Sequence, residues 1–196
     1  MESKLTLIAL LTLSPLPAVL AAEFPVFNDV TELIRFWGYP AEDHWVTTAD
    51  GYILNYNRIP KAGNESKGVV FLQHGLFGSS SRFVAGPADK SLGYILSDAG
   101  YDVWLGNTRG NTYSRNHTTL DPDADADKDE FWDFEWEDAG LYDLEAGLSY
   151  VLEQTGEEQL IYIGHSMGTS QFLAAASLLF IVCAHGEPLS CLGPFG

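Results

Sequence analysis

A serine that could act as a nucleophile stands in Gly164-His165-Ser166-Met167-Gly168, directly after the apolar run Leu160–Ile163. The pattern G-x-S-x-G is typical of a strained turn between a strand and a helix, which presents the serine hydroxyl for attack on a carbonyl carbon. Glycine is favoured two residues to either side because strand and helix can then pack closely around the turn. The alternative is a glycine-rich turn whose serine has no chemical role.

Backbone N–H groups that could stabilise an oxyanion are predicted in the loop 73–78, which follows the apolar run 69–73. Where a nucleophile elbow of this kind follows a strand, the loop after a neighbouring strand supplies one N–H of an oxyanion hole, and the residue after the nucleophile supplies the second. The predicted donors are therefore Leu76 and Met167, with an ordinary glycine-rich loop as the alternative. A further loop at 106–112 follows the apolar run 101–105 and contains Arg109. We interpret Arg109 as structural, pairing with a carboxylate or with carbonyls. The other interpretation is direct contact with substrate.

The acidic loop 121–130 suggests a calcium site, but its pattern does not fit one. Counting from Asp121, Asp123 or Asp125, the sixth position is never glycine and the twelfth is aromatic instead of glutamate. We interpret the loop as a solvated charged segment. The aromatic side chains that follow are predicted to pack in the core beneath the sheet and not to form a ligand cage: Phe131, Trp132, Phe134 and Trp136.

The hydrophobic pattern supplies the elements that must position these loops. A helix is predicted at 28–37, capped by Asp29 or Asn28, before two strands joined by the hairpin turn Asp50-Gly51. The strands are predicted at 44–48, 52–59, 69–73, 101–105 and 160–163, and the later helices at 92–99, 139–154 and 166–180. An antiparallel hairpin followed by βαβαβα predicts an α/β fold with a mostly parallel sheet.

Composition limits the classes of partner. The chain has 196 residues, of which 46% are hydrophobic, enough for one domain with a sizeable core. Its net charge of −17 argues against a nucleic-acid partner and against attraction to anionic membrane surfaces. No segment is long enough to span a bilayer.

The start of the chain predicts entry into the secretory pathway. Residues 1–22 have the pattern of a signal peptide, with Lys4 before an apolar run and cleavage expected after Ala21 or Ala22. Secretion is consistent with two N-x-[ST] glycosylation sites, and a disulfide is possible between the two cysteines. These four residues are Asn64, Asn116, Cys183 and Cys191.

Several longer sequence segments make the chain resemble the acid lipase family, which comprises the gastric and lysosomal lipases and their arthropod relatives. They run from about Asn28 to Leu178 and include Phe36-Trp37-Gly38-Tyr39-Pro40, Leu72-Gln73-His74-Gly75-Leu76 and Ser97-Asp98-Ala99-Gly100-Tyr101-Asp102-Val103-Trp104-Leu105-Gly106-Asn107. The resemblance implies an α/β-hydrolase fold over 23–178 that cleaves esters of neutral lipids, triacylglycerols or cholesteryl esters, at a lipid–water interface. Ser166 would be the nucleophile that forms an acyl-enzyme, and the enzyme would be secreted or, alternatively, lysosomal. Met167 stands where the family usually has Gln, a change that a backbone donor tolerates. Acyl transfer through a serine needs no metal and no organic cofactor.

No candidate for the rest of a catalytic triad follows the nucleophile. In this fold the acid and the histidine come later in the chain than the serine, whereas 179–196 does not resemble the family and is interpreted as a divergent tail. The helix after Ser166 would carry His185 roughly 20 Å away, and His74 is expected to pack beside the oxyanion loop. We therefore predict a partial hydrolase domain, without later strands, cap, triad Asp or triad His, and with weak or no activity. The alternative is a secreted non-catalytic module or a non-functional shortened variant.

Overall fold

The computed structural model of the protein describes residues 26–61, 63 and 66–183, with side chains as far as Ser177. The predicted signal peptide, Asn64, His185 and Cys191 lie outside the described residues, as does the side chain of Cys183.

The chain enters the fold through a capped helix and a hairpin. Helix α1 spans Val30–Phe36, and the Asp29 carboxylate accepts a hydrogen bond of 2.6 Å from the N–H of Glu32, which confirms Asp29 as the cap. Strands β1 (Glu42–Thr47) and β2 (Tyr52–Ile59) then pair antiparallel, as predicted. Gly51 has a φ of +98°, the left-handed backbone that this tight turn requires.

The rest of the described chain alternates strands and helices. These are β3 (Val69–Gln73), α2 (Leu92–Asp98), β4 (Asp102–Gly106), β5 (Asn116–His117), α3 (Lys128–Phe131), α4 (Trp136–Asp138), α5 (Leu144–Thr155), β6 (Leu160–Gly164) and α6 (Met167–Cys183). A 3₁₀ turn occupies Ser80–Phe83, and a π-helical turn at Ala139–Asp143 leads into α5.

The strands form one mixed sheet in the order β1-β2-β4-β3-β6, with β5 paired to β2. Strand β3 is parallel to both β4 and β6, and the pairs made by β2 are antiparallel. Gln73 stands opposite both Gly106 and Gly164, so the three parallel strands end at the same level. Every residue of β3 and β4 is buried, which confirms the prediction of strands covered on both faces.

Helices cover the sheet on both faces. One core contains Ile34, Leu72, Tyr94 and Leu105 and lies under α1 and α2. The other lies under α5 and contains Tyr56, Phe71, Trp104, Leu144 and Val151. Burying each of the larger side chains contributes about 1.5–3 kcal/mol, so the two cores hold the parallel strand ends in place.

Some boundaries differ from the predictions. The segment predicted as a helix from Ala139 begins with the π turn, where a Cβ on Gly140 would lie 2.8 Å from the Gln171 carbonyl of α6. Strand β5 and the short helices α3 and α4 were not predicted. Helix α6 continues to Cys183, three residues past the end of the helix predicted at 166–180. None of the helices within the described residues has the length and apolar character needed to cross a membrane.

Candidate active site

Three loops meet at the carboxyl ends of the parallel strands. They follow β3 at Gln73, β4 at Gly106 and β6 at Gly164, which the strand register places side by side. Ligands of open α/β sheets bind at this edge. The sheet therefore brings together the loops that the sequence identified separately.

Ser166 adopts the backbone of a nucleophile elbow. Its φ is +53°, in the left-handed region, and its side chain is exposed between β6 and α6. A Cβ on Gly164 would lie 2.7 Å from the Thr169 nitrogen, and a Cβ on Gly168 would lie 2.8 Å from the carbonyl oxygens of Gln73 and His74. Both glycines are thus required by close packing, the reason for which the motif predicts them.

The loop after β3 lies against the elbow. A Cβ on Gly75 would lie 2.8 Å from the Ser166 Cβ, so glycine is needed for the two loops to approach. The next residues form a turn in which Gly78 N–H donates to the Gly75 carbonyl at 3.0 Å, and Phe77 has a φ of +57°. Leu76, the predicted donor, is the second residue of that turn and is 61% exposed.

The N–H groups of the two predicted oxyanion donors differ from their neighbours in their hydrogen bonding. Around the elbow, the N–H groups of His165, Gly168 and Thr169 donate to backbone carbonyls. Met167 begins α6, where first-turn N–H groups have no acceptor within the helix. Among the hydrogen bonds of the described residues, none uses the N–H of Leu76 or of Met167.

His74 connects two loops, and its ring nitrogens bond to groups other than Ser166. Its Nδ1 is 2.8 Å from the Gly75 carbonyl and its Nε2 is 3.1 Å from the Thr108 nitrogen, so Nδ1 carries the proton and Nε2 accepts. The ring is 2% exposed, and this burial lowers the pKa of His74. His74 is therefore a neutral structural side chain, as expected.

The other described histidines have partners away from the Ser166 hydroxyl. His44 lies 3.0 Å from the Tyr150 hydroxyl, and His117 lies 2.9 Å from the Asp50 carbonyl. The exposed His165 is 3.4 Å from the Arg82 guanidinium. Within 26–61, 63 and 66–183, no hydrogen bond reaches Ser166 Oγ, so the described part of the chain holds no base in contact with this hydroxyl.

Arg109 is structural, as the sequence predicted. Its backbone N–H and Nε donate to Asp143 at 2.9 and 2.8 Å, and its terminal nitrogens donate to Asp50 at 2.6 and 3.0 Å. The guanidinium also lies over the Tyr52 ring, 4.1 Å from its centroid. Complete burial raises the pKa of Asp143 to about 7, against the attraction of Arg109.

A groove of about 350 Å³ opens beside the elbow and is lined in part by Leu76, Phe77 and Met167. Its other wall is the aromatic segment after the acidic loop. Phe131 is fully buried, as predicted, but Trp132 and Trp136 are 42% and 44% exposed and line the groove. The prediction of core packing was wrong for these two side chains because the loop turns them toward the edge that carries Ser166.

The acidic loop 121–130 lies on the surface, where Arg115 pairs with Asp123 and Lys128 with Asp125, each at 2.6 Å. The described residues contain no group of three or more side chains placed to hold a metal ion.

Two family models match the chain. One is described as a partial alpha/beta-hydrolase lipase region and matches residues 30–87. The other, described as alpha/beta hydrolase fold, matches residues 68–183. The second match covers β3 to α6, the part that carries the elbow.

Curated relatives are similar over the same region. The human protein "Lysosomal acid lipase/cholesteryl ester hydrolase" is 46% identical over 171 residues, which cover 85% of this chain and 42% of that protein. The bovine "Gastric triacylglycerol lipase" is 46% identical over 147 residues, 72% of this chain and 36% of that protein. The chain thus spans about two fifths of the length of the curated relatives it matches.

Among solved structures, an esterase of Pyrococcus furiosus aligns with a TM-score of 0.51 and 22% identity, covering 79% of this chain and 50% of that one. At this identity the likeness concerns the fold alone.

Proposed function

This chain belongs to the α/β-hydrolase fold family, and on that premise we propose that it carries the nucleophile and oxyanion hole of a lipase that cleaves neutral lipid esters. The observation that carries the proposal is the left-handed backbone of Ser166, with φ +53° and an exposed side chain at a strand–helix turn. The similarity to proteins named for cholesteryl ester and triacylglycerol hydrolysis supports the substrate class. The aromatic groove beside the elbow is a suitable surface for an acyl chain.

In the proposed reaction, Ser166 Oγ attacks the carbonyl carbon of the ester and a tetrahedral oxyanion forms. The N–H groups of Leu76 and Met167 donate to that oxygen, and loss of one such donor typically costs a factor of 10²–10³ in rate. The alcohol leaves to give an acyl-enzyme, which water then hydrolyses to the fatty acid and free serine.

Proton transfer from Ser166 requires a base, and a serine hydroxyl alone is a weak nucleophile at neutral pH. Because the described histidines are engaged elsewhere, we propose that this 196-residue chain by itself has little or no turnover. In the resembling family the later half of the protein supplies the acid and the histidine.

The first test compares the purified chain with Ser166→Ala on a short-chain p-nitrophenyl ester. We expect equal, near-background rates for the two proteins. A rate well above background that Ser166→Ala abolishes would show that a base is present, and would contradict the proposal of an inactive chain.

The second test adds the part of a relative that lies beyond its match to this chain. Residues 26–178 are fused to the C-terminal part of the human lysosomal relative that this chain does not match. We expect the folded fusion to hydrolyse cholesteryl and glycerol esters, and Ser166→Ala to reduce its rate by at least about 10³-fold. A fusion that folds by circular dichroism, contains the added triad residues and remains inactive would count against the lipase function.

A second candidate is a secreted lipase-like module without catalysis. The observation that favours it is that His44, His74, His117 and His165 all have partners other than the nucleophile. An inactive fusion together with an inactive chain would favour this function.

Delivery through the secretory pathway is part of the proposal, with the extracellular space as destination and the lysosome as the alternative. Asn116 is exposed and fits the proposal as an attachment point for a glycan.

A further inference from the structure

A second groove, about 420 Å³ in volume, opens on the sheet face opposite to Leu54 and Tyr56. The N-cap of α1, strands β1 and β2 and the segment entering β5 form its walls. Its lining includes the side chains of Asp43, Trp45, Asn55, Tyr113 and Asn116. Its volume is in the range of small-molecule sites, and the proposed hydrolysis does not use it.

Strand pairing places Trp45 and Asn116 on one face of the sheet. Trp45 pairs with Asn55 on β2, and Asn116 pairs with Ile53 on the same strand. Paired residues share a face, and so do residues two apart in a strand. Trp45, Asn55 and Asn116 therefore project to the same side and meet in the groove.

The groove combines an aromatic platform with fixed polar groups. The Trp45 side chain is 54% exposed, and Tyr113 adds a second ring. Asp43 Oδ1 accepts from the amides of Asn55 and Asn57 at 3.2 and 2.7 Å, which holds the carboxylate in place. The Thr31 hydroxyl donates to Asp43 Oδ2 at 3.0 Å. A carboxylate has about four acceptor sites, so one is left for a hydroxyl group of a ligand. A pyranose ring, with C–H groups on one face and hydroxyls at its rim, matches this arrangement because C–H groups pack on the negative face of an indole.

Asn116 is the first residue of the sequon Asn116-His117-Thr118 and lies at the groove with an exposed side chain. A sugar attached there is covalently held beside Trp45, so it needs no intrinsic affinity comparable with that of a free ligand. The first sugar of an N-linked glycan is uncharged, so it fits a groove whose lining includes both carboxylates, Asp29 and Asp43, and the guanidinium of Arg115.

We propose that this groove is a cradle for the chain's own N-linked glycan, with the first N-acetylglucosamine on Asn116 packed against the Trp45 indole. The proposal rests on the proposed secretory delivery, because glycosylation requires it. The glycan then covers an exposed tryptophan and stiffens the junction of β1, β2 and β5.

The test measures the accessibility of Trp45 in protein secreted from a glycosylating host. Acrylamide quenching attributable to Trp45 is the difference between the chain and its Trp45→Phe variant. Removal of the glycan by Asn116→Gln or by Thr118→Ala, which keeps the asparagine, should raise that quenching constant at least twofold. Asn64→Gln is the matched control and should leave it unchanged. Trimming to a single N-acetylglucosamine with endoglycosidase H should preserve the protection, and enzymatic removal of the whole glycan from folded protein should abolish it.

The outcomes against the proposal can be told apart. Unmodified Asn64 and Asn116 would refute secretory glycosylation itself. A modified Asn116 with Trp45 equally quenched in all variants would refute the cradle alone. Protection of Trp45 in Asn116→Gln by added free chitobiose, without protection by the attached glycan, would make the groove a site for an external sugar and overturn the proposal.

Discussion

At the scale of single residues, Ser166 carries backbone strain that its neighbours hold in place. A non-glycine residue in the left-handed region costs about 1–3 kcal/mol, and the surrounding structure must compensate for it. Here the close contacts of Gly75, Gly164 and Gly168 fix the turn, so the strain stays at the residue that we propose reacts.

This strain predicts opposite effects of glycine at two neighbouring serines. Ser166→Gly should be more stable to denaturant than Ser166→Ala by about 1 kcal/mol, because glycine adopts the left-handed backbone without penalty. At Ser170, which is exposed within α6, Ser170→Gly should be less stable than Ser170→Ala by about 1 kcal/mol. Chemical denaturation of the four variants measures both differences. The same sign at both positions would contradict a strained elbow.

At the scale of elements, one ion cluster joins three segments that are distant in sequence. Arg109, after β4, binds Asp50 in the β1–β2 turn and Asp143 in the π turn before α5. The Arg109 and Asp143 side chains are 1% and 4% exposed, so loss of Asp143 leaves the buried Arg109 guanidinium with Asp50 as its remaining carboxylate in the cluster. Breaking such a pair typically costs 3–5 kcal/mol.

The raised pKa of Asp143 predicts how stability depends on pH. Burial raises the pKa to about 7, above the ordinary value of 3.8, so between these pH values the folded state binds the proton more tightly than the unfolded state. The stability that Asp143 contributes is therefore present below about pH 4 and is lost as the pH rises through about 7. Between pH 5 and 8, unfolding free energy should fall more steeply in the chain than in Asp143→Asn.

The quantity to compare is the slope of the unfolding free energy against pH. The difference in unfolding free energy at a single pH is not informative, because Asp143→Asn also weakens the pair with Arg109. Hydrogen bonds from Arg109 and Thr48 outweigh partial burial and lower the pKa of Asp50, which loses its contribution only in acid. Equal slopes for the chain and Asp143→Asn would refute the assignment.

The elements that the sequence predicted well are those fixed by local pattern. Strand β3 was predicted to the residue because its apolar run is continuous and its loops begin with glycine or polar residues. Strand β5, with two residues, forms only because β2 is beside it, and the π turn at Gly140 depends on contact with α6. Neither of these two contacts between distant segments produces a periodic pattern of hydrophobic residues in the sequence.

The same distinction applies to the candidate site. Ser166, Leu76 and Met167 could be proposed from short motifs, because their positions follow from the strand that precedes each loop. Trp132 and Trp136 could not be placed, because the path of the connection 118–135 between β5 and α4 decides which way they face. The only sign in the sequence that these side chains line a groove was the run of aromatic residues itself.

At the scale of the whole molecule, net charge and exposed apolar surface have opposite effects on association between copies of the chain. The charge of −17 repels copies of the chain from one another. Against this, β6 pairs only with β3 among the described strands, and Ile161 on that strand is 48% exposed. On α6, Phe172 and Leu173 are 37% and 63% exposed. An edge strand with apolar neighbours is a template for pairing with another chain.

We therefore expect the 196-residue chain to self-associate through β6, and more strongly as salt is added. Screening to about 10 Å at 0.1 M salt weakens the repulsion between copies but leaves the edge unchanged. Ile161→Lys should shift the chain to monomer because it places a charge on that edge. Ile95→Lys is the matched control, since Ile95 is 44% exposed on α2, away from β6, and should leave association unchanged. Size-exclusion chromatography with light scattering at low and moderate salt measures the mass of each protein. If both lysine variants reduce association equally, general charge and not the β6 edge controls it.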